Sequence, residues 1–268
     1  MERDMVRACA EFFLSIRENR GPRRPIPQAA RPANLPEGYA VQSALVDGLI
    51  DRHGGRVVGY KAACTSIHAQ QLLGVDSPIF GCLLSQFSWP GGVTLPRPEI
   101  PTLAVEPEFA FVMAGDVPAF PEPGGRWTPE SITGHVGDML PALELVGHGF
   151  TDWSSYDPPS LAADNAVQQG WVYGEPFEGW RDLTLSACPV TLSADGRLCR
   201  SGSGANVLGH PMKVVAWLAN TLPSYGHRLR RGDRVTTGVC TDIYPIRPGE
   251  HIRADFGALG SVELTFSA

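Results

Sequence analysis

The 268-residue chain has the sequence signature of an α+β fold, with a helical N-terminal region over residues 1–55 and a strand-rich body over 56–268 forming a single structural unit. Three observations point there. The N-terminal region places apolar residues at helical spacing. From Arg56 onward the apolar runs shorten to strand length between Gly and Pro signals. These strands do not alternate regularly with helices, which disfavours a doubly wound parallel sheet.

Taken in order, residues 1–18 put Val6, Cys9, Phe12, Phe13 and Ile16 on one helical face. A Pro/Arg-rich connection over 20–36 follows. A second helix is expected from about Pro36 to His53, with Tyr39, Leu45, Leu49 and Ile50 inward and Gly54-Gly55 ending it. Strands are expected at 56–63, 79–84, 103–114, 140–147, 167–173, 183–193, 233–238, 250–256 and 261–266. Asp195-Gly196 is a tight-turn pair and predicts a hairpin. Thr128-Pro129-Glu130 reads as an N-cap, a proline at the first helical position and an acidic first turn, opening a helix to about Gly137. Pro211 opens another helix, closed by Pro223.

Composition narrows the function classes. The net charge is −6, and no basic stripe runs along the chain apart from the short Arg20 to Arg24 stretch, so nucleic acid and anionic membranes are not expected partners. No stretch approaches the length of a membrane-spanning helix. The N-terminus carries acidic residues and lacks the long apolar core of a signal peptide. Six cysteines make no Cys-x-x-Cys pair and read as reduced thiols of a cytoplasmic protein. There is no Gly-x-Gly-x-x-Gly after a strand and no Walker A sequence, so nucleotide cofactors have no support. A Gly-x-Ser-x-Gly elbow and a His-Glu-x-x-His helix are both missing, and the seven histidines are scattered. His210, just before Pro211, reads as a structural residue closing a loop onto a helix start.

The chemistry concentrates in three glutamates. Glu106 and Glu108 stand two apart in the apolar run Leu103–Val112, and a strand puts residues i and i+2 on one face. Glu144 stands alone in a second apolar run, Leu140–Val146. A Glu-x-Glu pair is often only a solvated polar face. Here the flanks are apolar, and Pro107 restricts its strand to an edge or a bulge. Ionised carboxylates in such surroundings are costly unless a positive charge compensates, and a hard divalent cation such as Mg²⁺ or Mn²⁺ is the simplest compensator.

Lysine is scarce: only Lys61 and Lys213 among 22 basic residues. Lys61 lies in an apolar strand, either as a snorkelling edge residue or as a compact ammonium at a site. Asp76 suits a turn by default, yet follows Lys61 closely enough to return to the same cleft. Asp164-Asn165 reads as a turn or cap, or alternatively supplies an amide that orients substrate.

Together these segments resemble the 2-keto-4-pentenoate hydratase family of the fumarylacetoacetate hydrolase superfamily. The resemblance runs through Gly59-Tyr60-Lys61, Thr65-Ser66, Leu73 to Gly81, Val105-Glu106-Pro107-Glu108, Leu140 to Glu144, Asp152-Trp153, Ala163 to Ala166, Leu208 to Pro211 and Trp217-Leu218-Ala219. It implies N-terminal helices packed on a mixed β-roll of the fumarylacetoacetate hydrolase C-terminal-domain type. It implies that Glu106, Glu108 and Glu144 bind Mg²⁺ or Mn²⁺ and that Lys61 stands beside the carboxylate and 2-oxo group of a small 2-oxo acid. Ser66, Asn165, Thr237 and Gly238 would line the substrate side, and Asp76, if it reaches the cleft, would shuttle a proton.

The implied reaction is hydration of a 2-hydroxy-2,4-dienoate or its 2-oxo tautomer, within bacterial catabolism of aromatic compounds. Decarboxylation of a 2-oxo-3-enedioate (4-oxalocrotonate-type) and acylpyruvate C–C hydrolysis use the same electron sink. A catalytically silent partner subunit is the non-enzymatic rival. Members form homo-oligomers, and complexes between pathway decarboxylases and hydratases are known. The chain departs from relatives at Ala63-Cys64-Thr65-Ser66, at Ala166-Val167-Gln168 and at Val239-Cys240-Thr241-Asp242, all on the substrate side.

Overall fold

The structure is a computed structural model and describes residues 1–18, 26–28, 31–96, 103–122, 124–148 and 157–267. The Asp152-Trp153 pair and the whole Arg20 to Arg24 stretch lie outside the described residues. Helix α1 (Arg3–Glu18) buries Cys9, Ala10, Phe13 and Leu14, with Val6, Phe12 and Ile16 packed at the margin. Helix α2 (Leu35–His53) starts where Asn34 Oδ1 accepts the Glu37 N–H and stops where the Gly54 N–H reaches Ile50 O. Its buried side chains include Tyr39, Leu45 and Leu49. Both helices match the periodicity of their sequences.

The body holds two sheets. The first has eight strands in the order β2 (Ile79–Leu84), β1 (Val57–Ala63), β10 (Arg234–Val239), β5 (Ala104–Met113), β6 (Val136–Val146), β7 (Gln168–Tyr173) and β3 (Ser88–Pro90), with β11 (Tyr244–Pro245) also paired to β5. The second has five, β4 (Val93–Leu95), β13 (Ser261–Phe266), β12 (His251–Asp255), β8 (Pro189–Ala194) and β9 (Arg197–Ser203). Both mix parallel and antiparallel pairs. The second sheet lies against β5–β7, where Phe109 meets Phe256 edge to face. The fold is thus α+β, as expected.

The large sheet is strongly curled. In a flat sheet β1 and β6, separated by β10 and β5, would lie about 14 Å apart. Yet Lys61 Nζ on β1 lies 3.1 Å from Glu144 Oε1 on β6. Curling also splits the apolar residues. Phe109, Phe111, Leu143 and Leu145 join the main core, while Ala110, Leu140, Ala142, Trp171 and Leu83 form a small separate cluster on the concave face.

Several elements differ from the sequence-based expectation. The helix expected from Thr128 to Gly137 is only α4 (Pro129–Ile132), capped reciprocally by Thr128 and Ser131. A 3-10 turn over Thr133–His135 follows, and Val136 already pairs with Met113 in the sheet. The strand expected at 183–193 begins only at Pro189, because Leu185–Ala187 form a 3-10 turn. Pro107 occupies a central strand, not an edge. The ladder from β10 to β5 slips between Thr236 and Val239, opposite this stretch, and the Cys240 N–H reaches Pro107 O. The expected bulge exists, on the partner strand.

Two short helices went unpredicted. In α3 (Ile67–Leu73), Ser66 Oγ accepts the Ala69 N–H and left-handed Gly74 ends the helix. In α5 (Pro158–Ala163), the Asp157 carboxylate accepts the Ser160 N–H. Helix α6 (Met212–Thr221) follows Pro211 as expected, and His210 Nδ1 accepts the Met212 N–H at its start.

Candidate active site

Four adjacent strands deliver the site to the concave face. Glu106 and Glu144 are direct cross-strand partners, and Glu108 faces Ala142 two pairs along, on the same face. Like charges placed opposite each other destabilise a sheet unless something compensates. Glu108 and Glu144 are fully buried, while Glu106 keeps part of its surface at the cavity floor. A carboxylate oxygen of each lies within 4.8 Å of the others.

Lys61 is 1% exposed. Its room comes from β2, where it pairs with Gly81, a residue whose Cβ would press on the lysine side chain. The ammonium donates to Ala166 O at 3.3 Å and forms an ion pair with Glu144 Oε1. An ammonium has three N–H donors, so one remains for a ligand.

The β10 slip aims the Gly238 N–H at Glu108 Oε2, 2.7 Å away. Gly238 has φ +100° and a Cβ there would overlap Thr65 Oγ1, so only glycine suits the position.

The electrostatics follow from burial. Desolvation pushes the Glu106 carboxyl up to about 7, with Glu144 adding to the rise and Lys61 opposing it. Burial pushes Glu108 well above the carboxylate range, with Glu144 and Glu106 reinforcing it. Desolvation acts to lower Lys61, yet attraction to Glu144, Glu106 and Glu108 outweighs it and the ammonium is held above the ordinary lysine value. One ammonium cannot balance three carboxylates. Glu108 Oε1 and both oxygens of Glu144 are buried with no hydrogen-bond partner among the described residues, the Lys61 ion pair apart. Orphaned hard oxygens crowded around one ammonium suit a hard divalent cation, which would take the place of the protons that burial favours, and these three residues would hold it.

Above this floor opens a cavity of about 280 Å³. Lys61 and Glu106 form its charged end, whereas Leu72, Leu73, Val146, Leu161 and Ile243 make an apolar wall. Leu72 and Ile243 extend to the surface, 73% and 39% exposed. A larger groove of about 860 Å³ beside Tyr60, His227 and Arg230 does not reach the carboxylates.

The other expected site residues divide. Ser66 and Gly238 line the cavity, although the Ser66 hydroxyl caps α3. Thr237 is buried beneath it, its hydroxyl donating to Phe109 O. Asn165 is locked to β2, its amide bonding both the N–H and the carbonyl of Cys82. It sets a backbone in place and does not offer its amide to the cavity. Asp76 is exposed on the turn after α3 and is not among the cavity-lining residues. Sequence reasoning missed Ala166, whose carbonyl, not its side chain, meets Lys61; no side-chain signal marks it.

This buried charge set on a curled mixed sheet defines a class. The family model for Fumarylacetoacetate (FAA) hydrolase C-terminal matches residues 60–267, and the chain belongs to that family. Within it, the chain is similar to the 2-keto-4-pentenoate hydratase of Paraburkholderia xenovorans (strain LB400), with 33% identity over 260 residues, covering 97% of this chain and 94% of the relative. It is also similar to the 4-oxalocrotonate decarboxylase of Pseudomonas sp. (strain CF600), with 30% identity over 223 residues, 81% of this chain and 80% of the relative. The solved structure of 4-oxalocrotonate decarboxylase from Pseudomonas putida G7, complexed with magnesium and adipate, superposes with a TM-score of 0.90 at 27% identity, covering 99% of this chain and 98% of the other.

Proposed function

We propose that this chain is a metal-dependent hydro-lyase. It adds water to a 2-hydroxy-2,4-dienoate, or its 2-oxo-4-enoate tautomer, to give a 4-hydroxy-2-oxo acid. The observation that carries this reading is the pairing of a charged floor with an apolar wall in one cavity. A substrate with one carboxylate beside a 2-oxo group at one end and a hydrocarbon tail at the other matches both.

Glu106, Glu108 and Glu144 would hold Mg²⁺ or Mn²⁺. When bound, the cation supplies a Lewis acid for the carboxylate and 2-oxo end of the substrate. Lys61 offers its remaining N–H to the 2-oxo oxygen, where negative charge gathers as the dienol becomes a ketone and water adds in conjugate fashion. Because Lys61 is already tied to Glu144 and Ala166, it needs no reorganisation to do so. The Gly238 N–H fixes one oxygen of Glu108, and the other, which has no hydrogen-bond partner, would be available to a cation. Leu161 and Val146 exclude water from the tail. Asp76 stands outside this machinery.

The same wall ranks the rival reaction lower. A 2-oxo-3-enedioate would lay its second carboxylate against Leu72, Leu73 and Ile243, and among the described lining residues Lys61 is the one cation. The test is turnover of freshly generated 2-hydroxypenta-2,4-dienoate with Mg²⁺ or Mn²⁺ against an EDTA control, with products identified by mass. Metal-dependent gain of one water is the expected outcome. Loss of CO₂ from the corresponding diacid, with the monoacid untouched, would replace hydration by decarboxylation.

A further inference from the structure

The turn that carries Ala166 is strained. Asn165, Ala166 and Val167 all lie in the left-handed region, with φ of 50°, 50° and 56°. None is glycine and one is β-branched, so the chain adopts this shape only where its surroundings impose it. Two residues do so from opposite sides. From β2, the Cys82 backbone receives the Asn165 amide. From α1 comes Arg17, outside the segment that matches the family model.

The Arg17 guanidinium is spent on this turn. Nε and Nη2 donate to Asp164 Oδ1 at 3.0 and 2.8 Å, Nη2 also to Asp164 O at 2.9 Å, and Nη1 to Gln168 O at 2.8 Å. Both ends of the left-handed run are thereby clamped by one planar fork, a geometry that lysine cannot reproduce. Between the clamped ends sits the Ala166 carbonyl that accepts from Lys61 Nζ.

We infer that Arg17 is a positioning residue for the active-site lysine: it holds the Asp164–Gln168 turn so that Ala166 O fixes the direction of the Lys61 ammonium. The catalytic part of this inference rests on the role proposed for Lys61 above. It gives the N-terminal helix a task in the reaction beyond covering the core.

The chain's lysine content makes the test clean. Lys61 and Lys213 are its only lysines, and Lys213 is exposed and far along the chain, so it serves as an internal reference for amine acylation read by peptide mass. Arg17→Lys keeps the charge against Asp164 and removes the fork, and the third amine it adds is read on its own peptide. Arg52→Gln is the control, because Arg52 ties α2 to Glu11 and Glu18 of α1 without touching the turn. Arg17→Lys is expected to raise Lys61 acylation relative to Lys213 about 10-fold. It should lower kcat by about 10- to 100-fold with little change in KM. In Arg17→Ala, added guanidinium should restore part of the turnover. Arg52→Gln should change neither readout. Unchanged Lys61 acylation in Arg17→Lys, or the same losses in Arg52→Gln, would overturn the positioning role. Wild-type turnover in Lys61→Met would instead overturn the functional reading, since the acylation ratio reports on geometry alone.

Discussion

Two cross-strand charge sets in this molecule use similar residues and meet different ends. On β12 and β13, Arg253 Nη2 lies 3.2 Å from Asp255 Oδ2 and His251 Nε2 lies 3.1 Å from Glu263 Oε2, with all four side chains between 42% and 47% exposed. On β1, β5 and β6, Lys61 lies at the same range from Glu144, with Glu106 and Glu108 alongside, in a setting almost without water. The strand pattern of charges two apart is common to Arg253-x-Asp255 and Glu106-x-Glu108. Water screens the first set, so it does little. Curvature buries most of the second, and its imbalance of charge makes it a candidate metal site.

The largest effect separating the two sets should be on turnover. Glu106→Gln keeps the shape and removes one ligand charge, and its turnover with Mg²⁺ is expected to fall by at least about 10²-fold, while circular dichroism stays that of the parent. Full turnover in that variant under limiting metal would break the comparison, because Glu106 would then be no more than a surface carboxylate.

Next comes stability. Lys61→Met leaves buried Glu144 without its ion-pair partner, and urea unfolding of the metal-free protein should show a loss of about 3–5 kcal/mol. A loss as small as that of a surface charge would mean that the buried Lys61–Glu144 pair contributes no more than an exposed one.

The pH dependence sharpens the same point. Burial raises the Glu106 carboxyl from an ordinary 4.5 to about 7, so between those values the folded metal-free protein keeps a proton that the unfolded chain has released. Its contribution is therefore fully present below about 4.5 and is lost as pH rises through about 7. Thermal melts of the metal-free protein should fall across this window, and Glu106→Gln should flatten the slope. Added Mg²⁺ should reverse it, since the cation takes the ionised carboxylates. The smallest effect belongs to the open set: Arg253→Ala should change stability by less than about 0.5 kcal/mol, measured in the same urea titration.

How much of this was legible beforehand varies by residue. Glu106 and Glu108 share a face because a strand has period two, and that follows from two letters of spacing. That Glu144 stands directly opposite Glu106 follows from strand register, which no local pattern states. Lys61 was visible as an oddity, a lone lysine in an apolar strand. Its partners were not, because the curl of the sheet brings β1 to β6 across two intervening strands. Asn165 and Asp76 were both read as possible cavity residues, yet one is buried as a backbone lock and the other is exposed at a turn. The Thr128 helix was cut short because the apolar run from Val136 gains more by pairing with β5 than by extending four helical residues.

Chain-local chemistry therefore settled the class of fold, the two long N-terminal helices and the family, and it picked out the three glutamates proposed to hold a metal. These rest on periodicity, capping and residue type, which act over a few positions. The curvature that joins lysine to glutamate, the clamp from Arg17 to a turn 147 residues away and the apolar wall above the floor came only with folding. They depend on which distant segments exclude water together, and that is a property of packing in three dimensions.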